Sequence, residues 1–289
     1  MIAPVRRIAG LLSAAAFLLF AASCSQLPTS PIVDDSSVRP GAEPMASANH
    51  IELGNPSGAT TSTGNPTNYL MTKPQYVMSY HRDHGEPNWV AWHLNSSWLG
   101  STARQDNFRA DTSLPSGWYQ VPGTGYSGSG YDRGHMCPSG DRTLTVADNS
   151  ATFLMTNMIP QAPNNNQGPW AQLEDYCRTL AGQGNEMYIY SGGYGSQGTI
   201  NSGHVLVPGR TWKVIVVLAN GSSDLSRVTT STRVIAVDMT NVNASISKTA
   251  SWKTFRVSVD SIEGHTGFNF LSNVSTSIQS VIEARVDNL

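Results

Sequence analysis

Cysteine is scarce here, with three in 289 residues. That is too few for a disulfide framework, and no Cys-x-x-Cys or His-x-x-x-His spacing is present to make a zinc site. Excess positive charge is missing too: 18 Lys and Arg stand against 20 Asp and Glu, for a formal net charge of −2. The balance turns more acidic once Arg6 and Arg7 near the N-terminus are set aside. A protein that holds polyanions through a blanket of positive field is thereby excluded, and a polyanion would have to be met by a local cluster of arginines. No repeat on the scale of a solenoid unit is visible. What the chain does have is 39% hydrophobic residues, enough to bury a sizeable core.

The first 24 residues read as a signal peptide, in which Arg6 and Arg7 precede an apolar run, Ile8 to Ala22, too short to favour a spanning helix. The run ends in Ala21-Ala22-Ser23-Cys24, which is lipobox-like and makes Cys24 a candidate for lipidation; simple secretion is the alternative. Either way the expected location is extracytoplasmic, as a lipid-anchored envelope protein or a secreted one. Residues 25–50 are rich in Pro, Ser, Asp and Ala and cannot repay their ordering entropy, so a flexible tether is expected there. The domain proper is expected over residues 51–289. An exported chain with Cys137 and Cys177 left over invites a disulfide between them.

Within the domain, Tyr76–Tyr80 and Trp89–Leu94 read as neighbouring strands, followed by an irregular charged stretch, Gly100–Pro122, that carries Arg104. Phe153–Met158 reads as a further strand. Asn164 to Gly168 is turn chemistry, Pro169 fits a first helical position, and Trp170, Leu173, Cys177 and Leu180 recur at helical spacing as a buried stripe. Met187–Tyr190, Trp212–Ala219, Thr232–Met239 and Thr254–Val259 read as strands. Asp260–Gly267 and Ser275–Val286 read as helices. The fold class expected is α+β with a mixed or antiparallel sheet.

One segment concentrates chemistry: Tyr131–Arg142, YDRGHMCPSGDR. Asp132, Arg133 and His135 put a carboxylate, a fixed cation and a near-neutral titratable group on one short segment, with Gly134 allowing close backbone approach. On the later helix Glu174 and Arg178 are four apart, where an ion pair is the expected arrangement, and Asn166 lies just ahead of it. If hairpin and helix pack together, they make a ββα unit that gathers an imidazole, an amide and a carboxylate. A metal site with one neutral amide ligand suits magnesium, which keeps several waters and completes its shell with phosphate. Phosphoryl transfer is the chemistry indicated, with His135 as base and arginines neutralising charge.

Asp132-Arg133-Gly134-His135, then Asn157-Met158-Ile159-Pro160-Gln161, then Asn166 to Glu174 (NQGPWAQLE) resemble the DNA/RNA non-specific endonuclease family of ββα-metal, or His-Me finger, nucleases. The resemblance runs from about Ile51 to the C-terminus and is nearest in look to the secreted cyanobacterial members. It implies His135 as general base, Asn166 as the direct metal ligand and Glu174 as a ligand through water. Arg104 is implied as a contact to the scissile phosphate, Arg133 as the motif arginine, Arg178 as an arginine near the leaving side, and Asp132 as a supporting carboxylate. It further implies Mg²⁺, with Mn²⁺ able to substitute, and DNA and RNA as substrates cut to 5′-phosphate ends. An inhibitor protein cannot be read from the sequence, and the membrane would be met only through Cys24. Two other readings stay open: a lipid-anchored protein that captures nucleic acid without turnover, and a phosphodiesterase for small or lipid-linked phosphates.

Overall fold

Ten-residue apolar strands in the middle of the chain set the architecture. Asn185–Tyr194 (β6) and Arg210–Ala219 (β9) carry β-branched and aromatic residues at their centres, Tyr188–Tyr190 and Val214–Val217, and are buried on both faces over most of their length, as the centre of a covered sheet requires. This computed structural model describes residues 49–289. The leader, Cys24 and nearly all of the tether, residues 1–48, lie outside the described residues.

In chain order the strands are β1 (Tyr69–Lys73), β2 (Tyr76–His81), β3 (Glu86–Leu94), β4 (Asp132–His135), β5 (Met158–Gln161), β6, β7 (Thr199–Ile200), β8 (Val205–Leu206), β9, β10 (Arg233–Thr240) and β11 (Arg256–Val257). Seven of them form one antiparallel sheet in the order β1-β2-β3-β6-β9-β10-β11, while β4 pairs with β5 and β7 with β8. The helices are α1 (Val146–Ala151), α2 (Pro163–Asn165), α3 (Ala171–Gly182), α4 (Asp224–Arg227), α5 (Val259–Thr266) and α6 (Thr276–Ile282). None among the described residues is long and apolar enough to cross a membrane.

The two-residue alternation of the strands sorts their side chains onto two cores. On one face Met78, Trp92, Ile189, Ile215 and Val237 meet Leu173, Cys177 and Leu180 of α3, Ile159 of β5 and Met136 just past β4. On the other, Trp89, Tyr190, Trp212 and Val214 meet Val259 and Ile262 of α5 and Ile282 of α6. The α+β class and the hairpin-plus-helix unit are therefore as the sequence predicts.

Several boundaries differ. Strand β1 escapes the sequence reading, and Phe153–Met158 is a turn and a 3₁₀ segment with the strand starting only at Met158. The reason is Asn157, fully buried, whose side chain bonds the Cys137 amide and the Cys137 and Thr152 carbonyls, turning the chain before it can pair. Thr254–Val259 shrinks to the two residues of β11, because Ser258 caps α5 by accepting the Ser261 amide. Asn166 stands inside a wide helical turn, Asn166–Trp170, that kinks at Gly168 and runs into α3. A side chain at Gly168 would meet the Lys248 carbonyl at 2.5 Å.

Candidate active site

The β4–β5 register places Asp132 opposite Gln161, Arg133 opposite Pro160, Gly134 opposite Ile159 and His135 opposite Met158. Gly134 is required for packing, since a Cβ there would stand 2.3 Å from Gln161 Oε1. Arg133 and His135, two residues apart, share one face of the strand, where Arg133 reaches solvent and His135 is buried at 8% exposure.

The imidazole of His135 sits edge-on between Phe108, at 5.6 Å, and Phe153, at 5.0 Å. Its Nε2 is shielded from solvent and has no hydrogen-bond partner among the described residues. Burial first, then the charges of Arg104, Arg133 and Lys213, lower its pKa to about 3, so the ring is neutral at neutral pH. The same two phenylalanines carry the arginines. Arg133 lies 3.7 Å over the Phe108 ring and donates to the Gly123 carbonyl at 2.7 Å. Arg104 lies 4.8 Å over Phe153 and bonds Ser139 Oγ at 2.8 Å and Asp106 at 2.6 Å. Arg104, Arg133, Asp132, Phe108 and Asn166 all line one open cleft of about 400 Å³.

Asn166 donates its amide N–H to Asp132 Oδ2 at 2.8 Å, and Gln167 donates to the same oxygen at 2.8 Å. The Asn166 carbonyl oxygen keeps no partner among the described residues, which fits a ligand to a hard cation: the amide is fixed by its nitrogen and its oxygen is free. Glu174, on the first turn of α3, is held by Lys213 Nζ at 3.2 Å. Burial raises the Glu174 pKa, and Lys213 works against that rise.

Two expectations need correction. Glu174 and Arg178 do not pair with each other: Glu174 turns inward to Lys213, and Arg178 bonds Asp141 at 2.9 Å and also Asp175. A buried carboxylate, Asp141 at 1% exposure, out-competes a helix-surface partner because it has no water to fall back on. The predicted disulfide is also absent. Cys137 and Cys177 are free, buried thiols in the same apolar core cluster, filling volume as small hydrophobic side chains, and burial pushes both up to about 12.

Lys213, Phe108, Phe153 and Asp141 were not legible as site residues. Only Lys213 leaves a trace in the sequence, as a lone cation inside the apolar strand RTWKVIVVLA. It is 1% exposed and lies 3.8 Å from the Trp170 ring.

A neutral buried histidine on a two-stranded hairpin, backed by a helix and facing arginines, is a nuclease architecture. Residues 54–277 match the profile of the DNA/RNA non-specific endonuclease family, and the chain belongs to it. It is 51% identical to a nuclease of Nostoc sp. over 97% of this chain and 99% of that one. It is 27% identical to the human mitochondrial endonuclease G over 71% of this chain and 70% of that one. Among solved structures it resembles endonuclease G in the crystal structure of an EndoG/EndoGI complex, with TM-score 0.65, 26% identity, and coverage of 78% of this chain and 91% of that one. Its general activity is accordingly that of a nuclease, a hydrolase.

Proposed function

We propose that this protein is an exported, sugar-non-specific endonuclease that hydrolyses phosphodiester bonds of single- and double-stranded DNA and RNA to leave 5′-phosphate ends. The observation that carries this reading is the gathering of Asn166 and the Arg104 and Arg133 cations on one cleft, with a neutral His135 packed against Phe108 of that cleft's wall. His135 would take a proton from the attacking water, for which it must be neutral, as burial keeps it. An arriving phosphate anion offsets the nearby arginines and raises the proton affinity of the ring when it acts. Arg104 and Arg133, already oriented on their aromatic supports, neutralise charge growing on the phosphate oxygens. Arg178 adds positive potential near the leaving side while held by Asp141 and Asp175.

Asn166 Oδ1 would hold a divalent cation directly, with Glu174 contacting it through water and Asp132 fixing the amide. Bound there, Mg²⁺, or Mn²⁺ in its place, supplies Lewis-acid charge at the phosphate and the departing oxygen. The residues named address phosphate, which accounts for the expected lack of base and sugar specificity. Export rests on the leader, residues 1–24, with Cys24 as the candidate lipid anchor.

The test is digestion of supercoiled plasmid and of RNA with Mg²⁺, with and without EDTA, by parent and His135→Ala. The parent should cut both substrates, EDTA should stop it, and the variant should be slower by roughly 10²–10⁴-fold. Binding that survives EDTA with no cut strand on adding Mg²⁺ or Mn²⁺ would assign the cleft to capture instead.

A further inference from the structure

Three carboxylates converge on the sheet face opposite the hairpin, where α5 and α6 pack. One oxygen each from Asp260, Glu263 and Glu283 lie within 4.8 Å of one another. Among the described residues no lysine, arginine or histidine forms an ion pair with any of them. Glu283 is the buried member at 5% exposure; the Leu271 backbone N–H acts on its carboxylate, but among the described residues its Oε1 is shut off from solvent without a hydrogen-bond partner. Asp260 is exposed and Glu263 half-buried, so the cluster opens to water on one side.

The three are held in place. The Phe270 amide donates to Glu263 Oε1 at 2.9 Å, and the Asp260 amide donates to the Glu283 carbonyl at 3.2 Å. Val259, Ile262 and Ile282 anchor both helices in the core. Leaving several carboxylates together, one of them buried, is costly unless a cation joins them. A second acidic grouping in the same chain shows the contrast: at His93, Glu186 and Asp224 the cation is built in, because Arg227 reaches both Glu186 and Asp224. At Asp260 the protein supplies none.

We propose that Asp260, Glu263 and Glu283 form a calcium site, separate from the catalytic cleft, that ties α6 to α5. The donors are all carboxylate oxygens, with no imidazole or thiolate, which selects a hard cation. Their unequal exposure gives an irregular shell completed by water, suited to Ca²⁺ with its six to eight oxygens at roughly 2.3–2.6 Å, more than to the strict octahedron of Mg²⁺.

The test is CaCl2 titration of chelator-treated protein, read by thermal unfolding and by calorimetric stoichiometry. It is run in the Asn166→Ala background so that the catalytic cleft contributes no ion. One calcium should bind, and Tm should rise on the order of 5 °C when Ca²⁺ exceeds its Kd about 100-fold. Adding Glu283→Gln should abolish both signals. Asp260→Asn, at an exposed position that tolerates change, should weaken them. With Asn166 intact, Glu283→Gln should still cut plasmid with Mg²⁺ at the parent rate. Absence of uptake in the Asn166→Ala protein, or an unchanged Tm response in Glu283→Gln or Asp260→Asn, overturns the proposal. So does a calcium-insensitive protein whose Tm rises as pH falls from about 8 to 6, which would show a shared proton in place of a metal.

Discussion

Lys213 and Glu174 meet across two elements of the fold, strand β9 and helix α3, with Nζ 3.2 Å from Oε1. The ammonium is 1% exposed and the Trp170 ring lies 3.8 Å from it, so the cation stands between an aromatic face and a carboxylate. Lys213→Met would keep the volume and leave Glu174 in a buried position without its partner. Stability should fall by about 3 kcal/mol, since breaking a buried pair strands a charge. Adding Glu174→Gln to Lys213→Met should recover part of it. Urea midpoints of the four proteins in this double-mutant cycle decide the matter, and additive losses would mean the pair is not coupled.

Asp132 orients Asn166 through the 2.8 Å bond to its amide nitrogen. Asp132→Ala frees the amide to flip and should raise the Mg²⁺ needed for half-maximal plasmid cleavage by roughly 10–100-fold, as loss of outer-shell support does at other metal sites. Excess Mg²⁺ should restore part of the rate. An unaltered Mg²⁺ curve would remove Asp132 from this role.

Gly134 is the point of closest packing in the hairpin, where an added Cβ would meet Gln161 Oε1 at 2.3 Å and Gln161 Cβ at 2.6 Å. Gly134→Ala should cost about 1–3 kcal/mol of stability and lower activity by displacing the neighbouring His135. Pairing it with Gln161→Ala, which opens the space, should return part of the stability, as chemical denaturation can report.

His50 is buried with both ring nitrogens in use, Nε2 on the Pro74 carbonyl at 2.9 Å and Nδ1 accepting the His93 amide at 3.1 Å. Burial foremost, with Arg142 next, lowers its pKa to about 3. The unfolded chain titrates near 6.5, so between roughly pH 6.5 and 3 the unfolded state holds a proton that the folded state refuses, and stability is lost as pH falls through that window. His50→Gln removes this contribution. Relative to the parent, the variant should gain up to about 1.4 kcal/mol per pH unit on acidification from pH 6 to 4, whatever its offset at pH 7. Parallel stability curves would contradict the assignment.

Cys137 and Cys177, both buried and both with thiols held up to about 12, should be inert to a thiol reagent in the folded protein and react once it is unfolded. A Cys24→Ser background isolates the pair. Failure of two thiols to appear in denaturant without reductant would restore the disulfide.

Short-range chemistry was open to reading from sequence. Asp132 to His135 lie on four consecutive positions, and the stripe Leu173, Cys177, Leu180 follows from the period of a helix, so the hairpin residue, the helix and its core face could be inferred without coordinates. So could Asn166 and Glu174, whose residue types match the chemistry. Phe153–Met158 could not be resolved, since an apolar run is ambiguous and a buried Asn157 bonding three backbone groups decides where the strand begins.

The residue types of the site and the alternation of the strands were thus determined by sequence alone, because both rest on local covalent order. Which partner each charge takes was decided only by the tertiary structure. Glu174 lies 39 residues from Lys213 and Arg178 lies 37 from Asp141, and these long-range pairs displaced the i, i+4 pair that helix geometry offers. The same holds for the free thiols and for Phe108 and Phe153, which support His135 and both arginines. Burial sets the worth of a contact, and burial exists only once the sheet, hairpin and helix have closed over it.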